Sequence, residues 1–403
     1  MKRILLIIPY GSVGGMERLA LHFYNYYKST GHQIKVVKFF GLKSDIINFN
    51  NDEYALLNKD LSELSLTKRI TFYLSAPFKL RKIIKKEKIT YSIAFGDMAN
   101  IFSSLTKTND YKIGSIHALK SVELNSKSIF TKLIKTSYRT VYKNLDKVVC
   151  ISAAIKKDLI TNCNYKFREN LEVIYNPHDV IDIRRLAEET IDLPDEKKLF
   201  SAEYQNIVFI GRISFQKSPW HIINAFNLLL KNKKNVNLIF IGDGDPKVLE
   251  YIKNLITKYN IESHIYFLGR KSNPYKYLKK ADALVLSSYY EGTPNVIVEA
   301  IALNTMVVSS NCTEGIMELM SLENHTKSTN NITVEAGIIT PNLYKGFLGF
   351  PKSTNYMEEE KQLAIALEET LNIQKIKPHR ELNSKLLEKF DLEYVSKQYL
   401  TKA

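Results

Sequence analysis

Short apolar runs alternate with segments of helical periodicity along the first half of the chain. Ile4–Ile8 is a continuous apolar run, and a glycine-rich turn separates it from a segment with helical spacing, Met16–Lys28. Four further apolar runs predict buried strands, at residues 34–40, 91–95, 113–117 and 147–151. Because strands and helices alternate, we predict a parallel sheet that carries helices on both faces.

The second half repeats this alternation. The apolar runs predict strands at residues 206–210, 237–241, 264–268, 283–287 and 306–309. Helical spacing between them predicts helices at residues 220–231, 248–259, 274–281 and 295–303, and the polar stretch 321–331 predicts a surface loop. We therefore predict an α/β fold with two Rossmann-like, doubly wound domains that face each other across a cleft.

The mixed acidic and basic stretch at residues 187–204 predicts a connection between the two halves. This places the N-terminal domain at residues 1–186 and the C-terminal domain at residues 205–385. A last helix is predicted within residues 386–403, with packing against the N-terminal domain as one option. In such sheets, ligands bind beyond the carboxyl ends of the strands, where loops meet the N-termini of helices.

The composition is that of a globular protein with two cores, at 403 residues with 45% hydrophobic and 25% charged residues. Three widely spaced cysteines form no metal-binding pair and favour a reducing compartment. The apolar run at residues 4–8 is shorter than the core of a signal peptide, which needs about 7 apolar residues or more. No stretch approaches the ~18 apolar residues of a spanning helix. We predict a cytoplasmic protein, with peripheral attachment to the inner face of the plasma membrane as an option.

The formal net charge of +15 is compatible with nucleic acid, an anionic membrane surface or small anions as partners. Two stretches in the first half, residues 59–90 and 112–147, hold most of this excess. Apolar residues accompany the lysines there, at Phe72, Tyr73, Leu74, Phe78, Leu80, Ile83 and Ile84, and at Phe130, Leu133, Ile134 and Tyr138. Two interpretations stay open: basic amphipathic helices that lie on a membrane, or buried apolar faces with solvated lysines.

Candidate functional residues are most concentrated in the segment Ser287–Ala300, which reads S-S-Y-Y-E-G-T-P-N-V-I-V-E-A. Thr293 is placed to cap a helix that begins just after it, and Gly292 leaves backbone N–H groups open beside that helix start, which suits an anion. Glu291 lies at the mouth of this site, and Glu299 lies about a turn and a half into the helix. Two carboxylates that can accept hydroxyl donors beside a phosphate pocket suit a sugar and a ribose. The alternative is an acidic helix start that the dipole stabilises.

This segment resembles the paired-glutamate motif of the retaining glycosyltransferases of family 4 (group 1), which have the GT-B fold. The resemblance implies that Glu291 contacts the transferred sugar and that Glu299 binds the ribose of the nucleotide. It also implies contacts between the donor and the residues around the helix start. These residues are Gly292, Thr293, Asn295 and Val296.

Other segments agree with the resemblance, in the same order along the chain. Gly211-Arg212, with Lys217 five residues after the arginine, is similar to the G-R…K signature of the family. Two cations can neutralise a diphosphate leaving group, although solvation is the alternative for basic residues in a loop. Ile241–Asp245 resembles the G-D-G turn of the family, which we interpret as structural. Arg270 ends a segment that lies along the base in relatives, and it is included among the donor contacts.

The first half carries weaker signals. Gly14-Gly15 is similar to the glycine pair of the family, where backbone approaches the acceptor (Gly14) or the donor phosphate (Gly15). His117 ends a predicted strand, and the resemblance places it at the donor sugar, the reacting centre and the acceptor. The alternative is a hydrogen-bonded histidine at a strand end. Asp97 lies in a similar loop and is a candidate contact of the acceptor, while Tyr175-Asn176-Pro177 matches an architectural turn.

The acidic residue Glu314 departs from the family, because many relatives carry a glycine- or proline-containing phosphate loop there. The resemblance therefore does not specify which residues of Asn311–Ile316 contact the donor. Cationic side chains and a helix N-terminus can take the charge of the leaving group, so we predict a reaction that uses no metal ion and no other cofactor.

The sequence therefore predicts a hexosyl- or N-acetylhexosaminyltransferase. The donor is a nucleotide diphosphate-sugar, with UDP expected from its frequency in the family and GDP as the alternative. The resemblance implies retention at the anomeric carbon. A glycan or lipid-linked acceptor is expected, in the synthesis of bacterial surface polysaccharide or lipopolysaccharide.

Three other functions are alternatives. A nucleotide-sugar 2-epimerase shares the two-lobed fold and would need no acceptor. A non-catalytic partner of another transferase would have no need of Arg212, Lys217, Glu291 and Glu299. Nucleic acid is not expected as a partner, because no recognition motif or aromatic platform accompanies the basic residues.

Overall fold

The computed structural model describes residues 1–11, 15–43, 45–124, 128–201, 203–323, 328–351, 355–373 and 380–402. The chain forms two compact units. Unit 1 comprises Met1–His178 and Lys389–Ala403, and unit 2 comprises Asp179–Glu388. In the described parts of the chain, every helix is too short or too polar to span a lipid bilayer.

The described residues form fourteen strands in two seven-stranded sheets. Those of unit 1 are β1 (Arg3–Ile8), β2 (Gln33–Phe40), β3 (Glu53–Leu57), β4 (Tyr91–Phe95), β5 (Tyr111–Ile116), β6 (Lys147–Cys150) and β7 (Leu171–Val173). Those of unit 2 are β8 (Gln205–Ile210), β9 (Val236–Ile241), β10 (Ile265–Phe267), β11 (Ala283–Leu286), β12 (Met306–Ser310), β13 (Ile332–Val334) and β14 (Gly337–Thr340).

Sixteen α-helices lie between and after these strands in the described residues. The first six are α1 (Gly15–Ser29), α2 (Leu66–Lys86), α3 (Asp97–Ser104), α4 (Lys120–Glu123), α5 (Ile129–Ser137) and α6 (Ala153–Thr161). The next five are α7 (Val180–Ala187), α8 (Pro194–Leu199), α9 (Trp220–Asn232), α10 (Pro246–Tyr259) and α11 (Tyr275–Leu278). The last five are α12 (Asn295–Ala302), α13 (Glu314–Met320), α14 (Glu358–Ile373), α15 (Arg380–Glu388) and α16 (Leu392–Leu400).

The sheet of unit 1 is parallel throughout, in the order β3-β2-β1-β4-β5-β6-β7. Its central strand shows why a continuous apolar run predicts such a sheet. Ile4–Ile8 is completely buried, because helices cover both faces. Ile4, Leu6 and Ile8 belong to the core under α1 and α16, whereas Leu5 and Ile7 belong to the core under α2 and α3.

The sheet of unit 2 has the order β10-β9-β8-β11-β12-β14-β13, with β13 antiparallel at one edge and the other strands parallel. One face is covered by α9, α10 and α14, whose apolar residues form a core around the buried Trp220. The prediction of two doubly wound α/β units is confirmed. The predicted loop at residues 321–331 precedes β13, and residues 324–327 of it lie outside the described residues.

The chain divides earlier than the predicted boundary, directly after His178. The segment predicted as a linker at residues 187–204 lies in unit 2 and packs there. Within it, Glu196 of α8 accepts hydrogen bonds from Lys271 Nζ (2.5 Å) and Tyr277 Oη (2.6 Å). This segment is as polar as a linker, which is why its composition predicted one. In the structure, ion pairs and hydrogen bonds from tyrosine hold the segment on the surface of unit 2.

The C-terminal helix α16 lies in unit 1, against α1. Tyr27 Oη donates a hydrogen bond to the Ser396 carbonyl (2.9 Å), and the rings of Phe23 and Tyr399 are 4.7 Å apart. The buried Lys147 donates to the carbonyls of Gln398 and Thr401. A cation at the last carbonyls of a helix is favourable, so this lysine anchors the end of the chain on the sheet.

Candidate active site

Each sheet has one point at which the direction of strand addition reverses. This switch point lies between β1 and β4 in unit 1 and between β8 and β11 in unit 2. Ligands of open parallel sheets bind at the carboxyl ends of the strands beside such a point. The loops after β8 and β11 carry Lys217 and Glu291, and the helices that follow β1 and β4 begin at Gly15 and Asp97. These four predicted residues therefore lie beside the switch point of their own unit.

In unit 2, hydrogen bonds tie the loop after β8 to the loop after β11. Ser218 Oγ donates to the Ser287 carbonyl (2.6 Å), and Ser287 Oγ lies 2.9 Å from the Lys217 carbonyl oxygen. The backbone N–H of Tyr289 donates to the Gln216 carbonyl (2.8 Å). Ser218 has a φ of 40°, an uncommon value for a residue with a side chain, and these bonds hold it there. The result is a fixed position for Lys217.

Lys217 and Glu291 form an ion pair across the two loops, with 2.6 Å between Nζ and Oε1. The two side chains are 18% and 10% exposed, so water screens the pair only in part. The Cys312 thiol lies close enough to interact electrostatically with both charges. Burial raises the pKa of this thiol, Glu291 raises it further, and Lys217 lowers it. The prediction that Lys217 and Glu291 belong to one site agrees with this pairing.

Arg212 is the second residue after β8, and its side chain is exposed. It makes no hydrogen bond or ion pair with any residue that the structure describes. A guanidinium has five N–H donors, so this exposed side chain is available to a ligand with anionic oxygens.

The predicted G-D-G turn lies directly against the loop that carries Arg212. A Cβ on Gly242 would fall 2.0 Å from the Gly211 carbonyl oxygen, and a Cβ on Gly244 would fall 1.9 Å from that of Ile213. The Ile213 N–H donates to the Asp243 carbonyl (2.8 Å). No side chain fits at either glycine, and this agrees with the structural role that the sequence predicts for the turn.

The helix that follows Glu291, α12, begins at Asn295 with Pro294 as its N-cap. The prediction that Thr293 caps this helix is wrong, because α12 has no side-chain cap. Thr293 Oγ1 is buried and makes no hydrogen bond within the described part of the chain. Pro294 occupies the N-cap position, so Thr293 lies one residue before the position from which a side chain caps the helix. Gly292 and Asn295 are partly buried, and Val296 is buried.

Glu299 is a partly buried residue of α12, and Tyr275 Oη lies 3.4 Å from its Oε1. Arg270 follows β10 and is exposed, without a hydrogen bond or ion pair to any described residue. Beside it, the Gly269 carbonyl accepts a hydrogen bond from the Gly242 N–H (2.9 Å). The loops after β8, β9 and β10 are thus joined at one edge of the sheet.

In unit 1, the glycine pair is described in part. Gly14 lies outside the described residues, and Gly15 is the first residue of α1 and is exposed. A Cβ on Gly15 would meet no atom within 4 Å. Packing within the described part of the chain therefore does not require glycine at this position, and the predicted approach of a ligand to this backbone stays a prediction.

We predict that Gly15→Ala leaves the melting temperature unchanged or slightly higher, since alanine is the better helix former by up to about 1 kcal/mol. If backbone at this position approaches a ligand, the added methyl lowers kcat/KM about tenfold, which corresponds to about 1.4 kcal/mol. Thermal melting and steady-state kinetics measure the two effects. Ser29→Ala, at the other end of α1, is the control. Unchanged kinetics in Gly15→Ala would remove this residue from the site.

His117 follows β5, and its Nε2 lies 2.8 Å from Ser115 Oγ. The Ser115 hydroxyl donates its one hydrogen to the Ala94 carbonyl (2.9 Å), so Nε2 is the donor to Ser115 and Nδ1 is the acceptor nitrogen. Burial lowers the pKa of His117 to about 3, and the ammonium of Lys120 adds to this effect. The imidazole is therefore neutral near pH 7.

The Asp97 carboxylate lies in a buried network within unit 1. Its Oδ1 accepts hydrogen bonds from the hydroxyls of Tyr138 (2.8 Å) and Tyr142 (3.0 Å), and its Oδ2 pairs with Lys120 Nζ (2.7 Å). Both oxygens are thus used inside the protein. This arrangement favours a structural role for Asp97 over the predicted contact with the acceptor, because such a contact would disturb a satisfied buried ion pair. Its partners come from three other segments and have no signal in the sequence.

Two family models match the chain. The model "Glycosyltransferase Family 4" matches residues 13–181, and the model "Glycosyl transferases group 1" matches residues 192–337. Together they cover more than half of the chain, with the first model in the N-terminal half and the second in the C-terminal half. The chain is a group 1 glycosyltransferase.

Two similar proteins place this glycosyltransferase among known sequences. An uncharacterized glycosyltransferase of Methanocaldococcus jannaschii is 26% identical over 81% of this chain and 82% of its own length. A transferase of Campylobacter jejuni is 26% identical over 81% of this chain and 83% of its own. Its name is GalNAc-alpha-(1->4)-GalNAc-alpha-(1->3)-diNAcBac-PP-undecaprenol alpha-1,4-N-acetyl-D-galactosaminyltransferase.

Among solved structures, HepE of Anabaena in complex with UDP matches with a TM-score of 0.70. The two chains are 18% identical, and the match covers 99% of this chain and 98% of HepE. At this identity, the likeness shows the fold alone. The glycosyltransferase has the GT-B fold.

A buried network without a signal in the sequence holds the loop after β11 of the glycosyltransferase. His221 Nδ1 lies 2.7 Å from Glu360 Oε1, and His221 Nε2 lies 2.9 Å from Tyr289 Oη, two residues before Glu291. Burial is the main cause that raises the pKa of Tyr289, to about 12. These residues come from α9, α14 and the loop after β11, and nothing in their local sequence connects them.

Proposed function

We propose that this glycosyltransferase transfers a sugar from a UDP-sugar to a lipid-linked glycan, with retention of the anomeric configuration and without a metal ion. The observation that carries the proposal is the Lys217–Glu291 ion pair at the switch point of unit 2, on the loop that also holds the exposed Arg212, which has no ion pair among the described residues. One carboxylate and two cations supply what a negatively charged nucleotide-sugar requires.

The cations are assigned to the leaving group. When the bond between the sugar and the diphosphate breaks, negative charge accumulates on the phosphate oxygens, and cations fixed nearby stabilise the transition state. The ammonium of Lys217 has three donors, so it can bind a phosphate oxygen and keep Glu291 in place. In the described residues, no group of three or more His, Cys, Asp or Glu side chains is placed to hold a metal ion. Arg212 and Lys217 take that role in this proposal.

Glu291 is assigned to the hydroxyls of the transferred sugar, and Glu299 to the ribose. The buried Thr293 Oγ1, which has no partner in the described residues, is assigned to the donor, and so is the start of α12, which has no side-chain cap. For retention, the acceptor oxygen attacks the anomeric carbon on the face that the diphosphate leaves. Its proton passes to a phosphate oxygen of the leaving group, so no side chain has to act as the base.

The acceptor is inferred from relatives. The Campylobacter jejuni transferase is named for a glycan on diphospho-undecaprenol, and HepE was solved with UDP. We extend both properties to this chain and expect a role in the synthesis of a surface polysaccharide. His117 of unit 1, neutral near pH 7, is assigned a hydrogen bond to a hydroxyl through Nδ1.

The test is ligand-induced stabilisation against UDP, GDP and ADP, with and without EDTA, followed by a transfer assay. A nucleotide at a hundred times its Kd should add about 2.7 kcal/mol to the free energy of unfolding. We expect a shift with UDP that EDTA does not change, and transfer to a polyprenyl-diphosphate glycan.

Three results would contradict the proposal. No shift with any nucleotide would favour a non-catalytic partner of another transferase. Conversion of the donor without an acceptor would favour a 2-epimerase. Loss of activity in EDTA, with recovery on added metal, would disprove the metal-free mechanism.

A further inference from the structure

Helix α2 of unit 1 presents an apolar stripe to solvent. Leu66, Ile70, Leu74 and Phe78 recur at every fourth residue, and their exposed fractions lie between 50% and 72%. Residues at this spacing lie on one side of a helix. A stripe of this length is unusual on a free surface, where exposed apolar residues are normally scattered.

The stripe is distinct from the apolar side of α2 that faces the sheet. Phe72, Leu80 and Ile84 are buried in the core of unit 1, as the second interpretation, buried apolar faces with solvated lysines, predicts. Leu74 and Phe78, in the same predicted set, are exposed. The helix is therefore apolar on two sides, and the fold uses only one of them.

Basic residues accompany the stripe. The sequence of α2 has seven Lys and Arg residues and no Asp or Glu. Lys82 and Lys85 near its C-terminus are exposed and form no ion pair among the described residues. An apolar side with unneutralised positive charge beside it is the composition of helices that lie on anionic lipid.

A second helix repeats the pattern. In α5, Ile129, Phe130 and Leu133 are 47% to 80% exposed, while Ile134 is buried in the core. This helix also has two lysines and no acidic residue. Phe130 and Leu133 were predicted on one face with Ile134, and the structure divides them between solvent and core.

The strand register places both helices on the same face of the sheet. Ile7, which packs under α2, pairs with Ala94 of β4, and Ala94 pairs with Gly114 of β5. Gly114 pairs with Val148 of β6, which packs under α5. Paired residues in neighbouring strands point to the same side, so α2 and α5 lie in one layer with outward sides that face the same way. Both outward sides therefore belong to one face of unit 1.

We propose that the outward sides of α2 and α5 form a surface that docks on an anionic lipid bilayer. Apolar side chains enter the boundary between headgroups and acyl chains, and lysines contact anionic headgroups. Nucleic acid would bind the lysines but leave the apolar stripe exposed to water. A second copy of this chain would cover the stripe but bring two positively charged surfaces together. An anionic bilayer both buries the apolar side chains and neutralises the lysines.

This surface deepens the proposed function, on which its link to the acceptor rests. Tyr138, the residue directly after α5, donates a hydrogen bond to Asp97 at the start of α3. The C-terminal end of α5 therefore lies near the carboxyl edge of the sheet, the edge that also carries Gly15 and His117. An acceptor that is anchored in the bilayer by its lipid is then held beside that edge.

Sedimentation with vesicles tests the docking directly, with the full chain. We expect wild-type protein to bind vesicles of phosphatidylcholine with phosphatidylglycerol, and to bind pure phosphatidylcholine much less. Leu74→Ser with Phe78→Ser, and separately Lys82→Ser with Lys85→Ser, should each weaken binding to the anionic vesicles about tenfold. Ile181→Ser with Ile365→Ser, and Lys247→Ser with Lys253→Ser, change equally exposed residues of unit 2 and should bind as wild type.

Stabilisation by UDP separates this proposal from the proposed function. The α2 variants should keep the full shift with UDP, because the substituted residues are exposed and lie outside unit 2. Wild-type binding by the α2 variants, or equal binding to both kinds of vesicle, would overturn the docking surface and leave the donor site intact. A dimer in solution that the Leu74→Ser and Phe78→Ser changes dissolve would also overturn it, by assigning the stripe to a second copy.

Discussion

Glu291→Gln is expected to lower kcat by about 10²–10³, equivalent to about 2.7–4 kcal/mol of transition-state stabilisation. The substitution keeps the size of the side chain and removes the charge that pairs with Lys217. If Glu291 binds the sugar as charge develops at the anomeric carbon, the loss falls on kcat more than on KM for the donor. Steady-state kinetics at saturating acceptor, together with thermal melting, measure both.

Two matched variants show whether this effect belongs to the site. Glu299→Gln changes the residue that is assigned to the ribose, so it should raise KM for the UDP-sugar and change kcat little. Glu250→Gln changes an exposed carboxylate of α10 and should behave as wild type. A Glu291→Gln enzyme with wild-type kcat, folded by thermal melting, would mean that this carboxylate is structural.

The fold could be predicted where strands are buried on both faces. Ile4–Ile8 is a continuous apolar run because helices cover both sides of its sheet, and such runs stand out in the sequence. Four strands were missed, β3, β7, β13 and β14, and each has three to five residues. Three of them, β3, β7 and β13, contain partly buried residues. A half-buried strand of this length has too few apolar positions to form a pattern.

The site could be predicted only where a motif is local. Glu291 and Glu299 lie within one short segment, and Arg212 and Lys217 within another, so resemblance to a family was enough to select them. The bonds that hold these residues join distant segments. Ser218 and Ser287, for example, are 69 residues apart, and no periodicity connects them. Asp97 was predicted to contact the acceptor from its position after a predicted strand. Its ion pair with Lys120 likewise joins separate segments, so the sequence does not reveal it.

Arg212→Ala combined with Lys217→Ala is expected to abolish measurable stabilisation by UDP. Each cation is assigned charge-assisted hydrogen bonds to the diphosphate, and hydrogen bonds of this kind contribute about 1.5–3 kcal/mol each. Loss of both should weaken the affinity for UDP by at least about a hundredfold, which is about 2.7 kcal/mol. Titration calorimetry with UDP and with uridine separates the diphosphate from the nucleoside, because uridine should bind both proteins equally weakly.

The single variants distinguish a ligand contact from a structural effect. The Arg212 side chain is exposed and has no partner among the described residues, so Arg212→Ala removes no internal bond and should melt as wild type. Lys217→Ala leaves the largely buried Glu291 without its cation, so part of its effect should appear as a lower melting temperature. Lys247→Ala, an exposed lysine of α10 in the same unit, is the control for net charge. If Arg212→Ala binds UDP as wild type does, the leaving-group charge is neutralised by Lys217 and the start of α12, and the arginine lies outside the donor site.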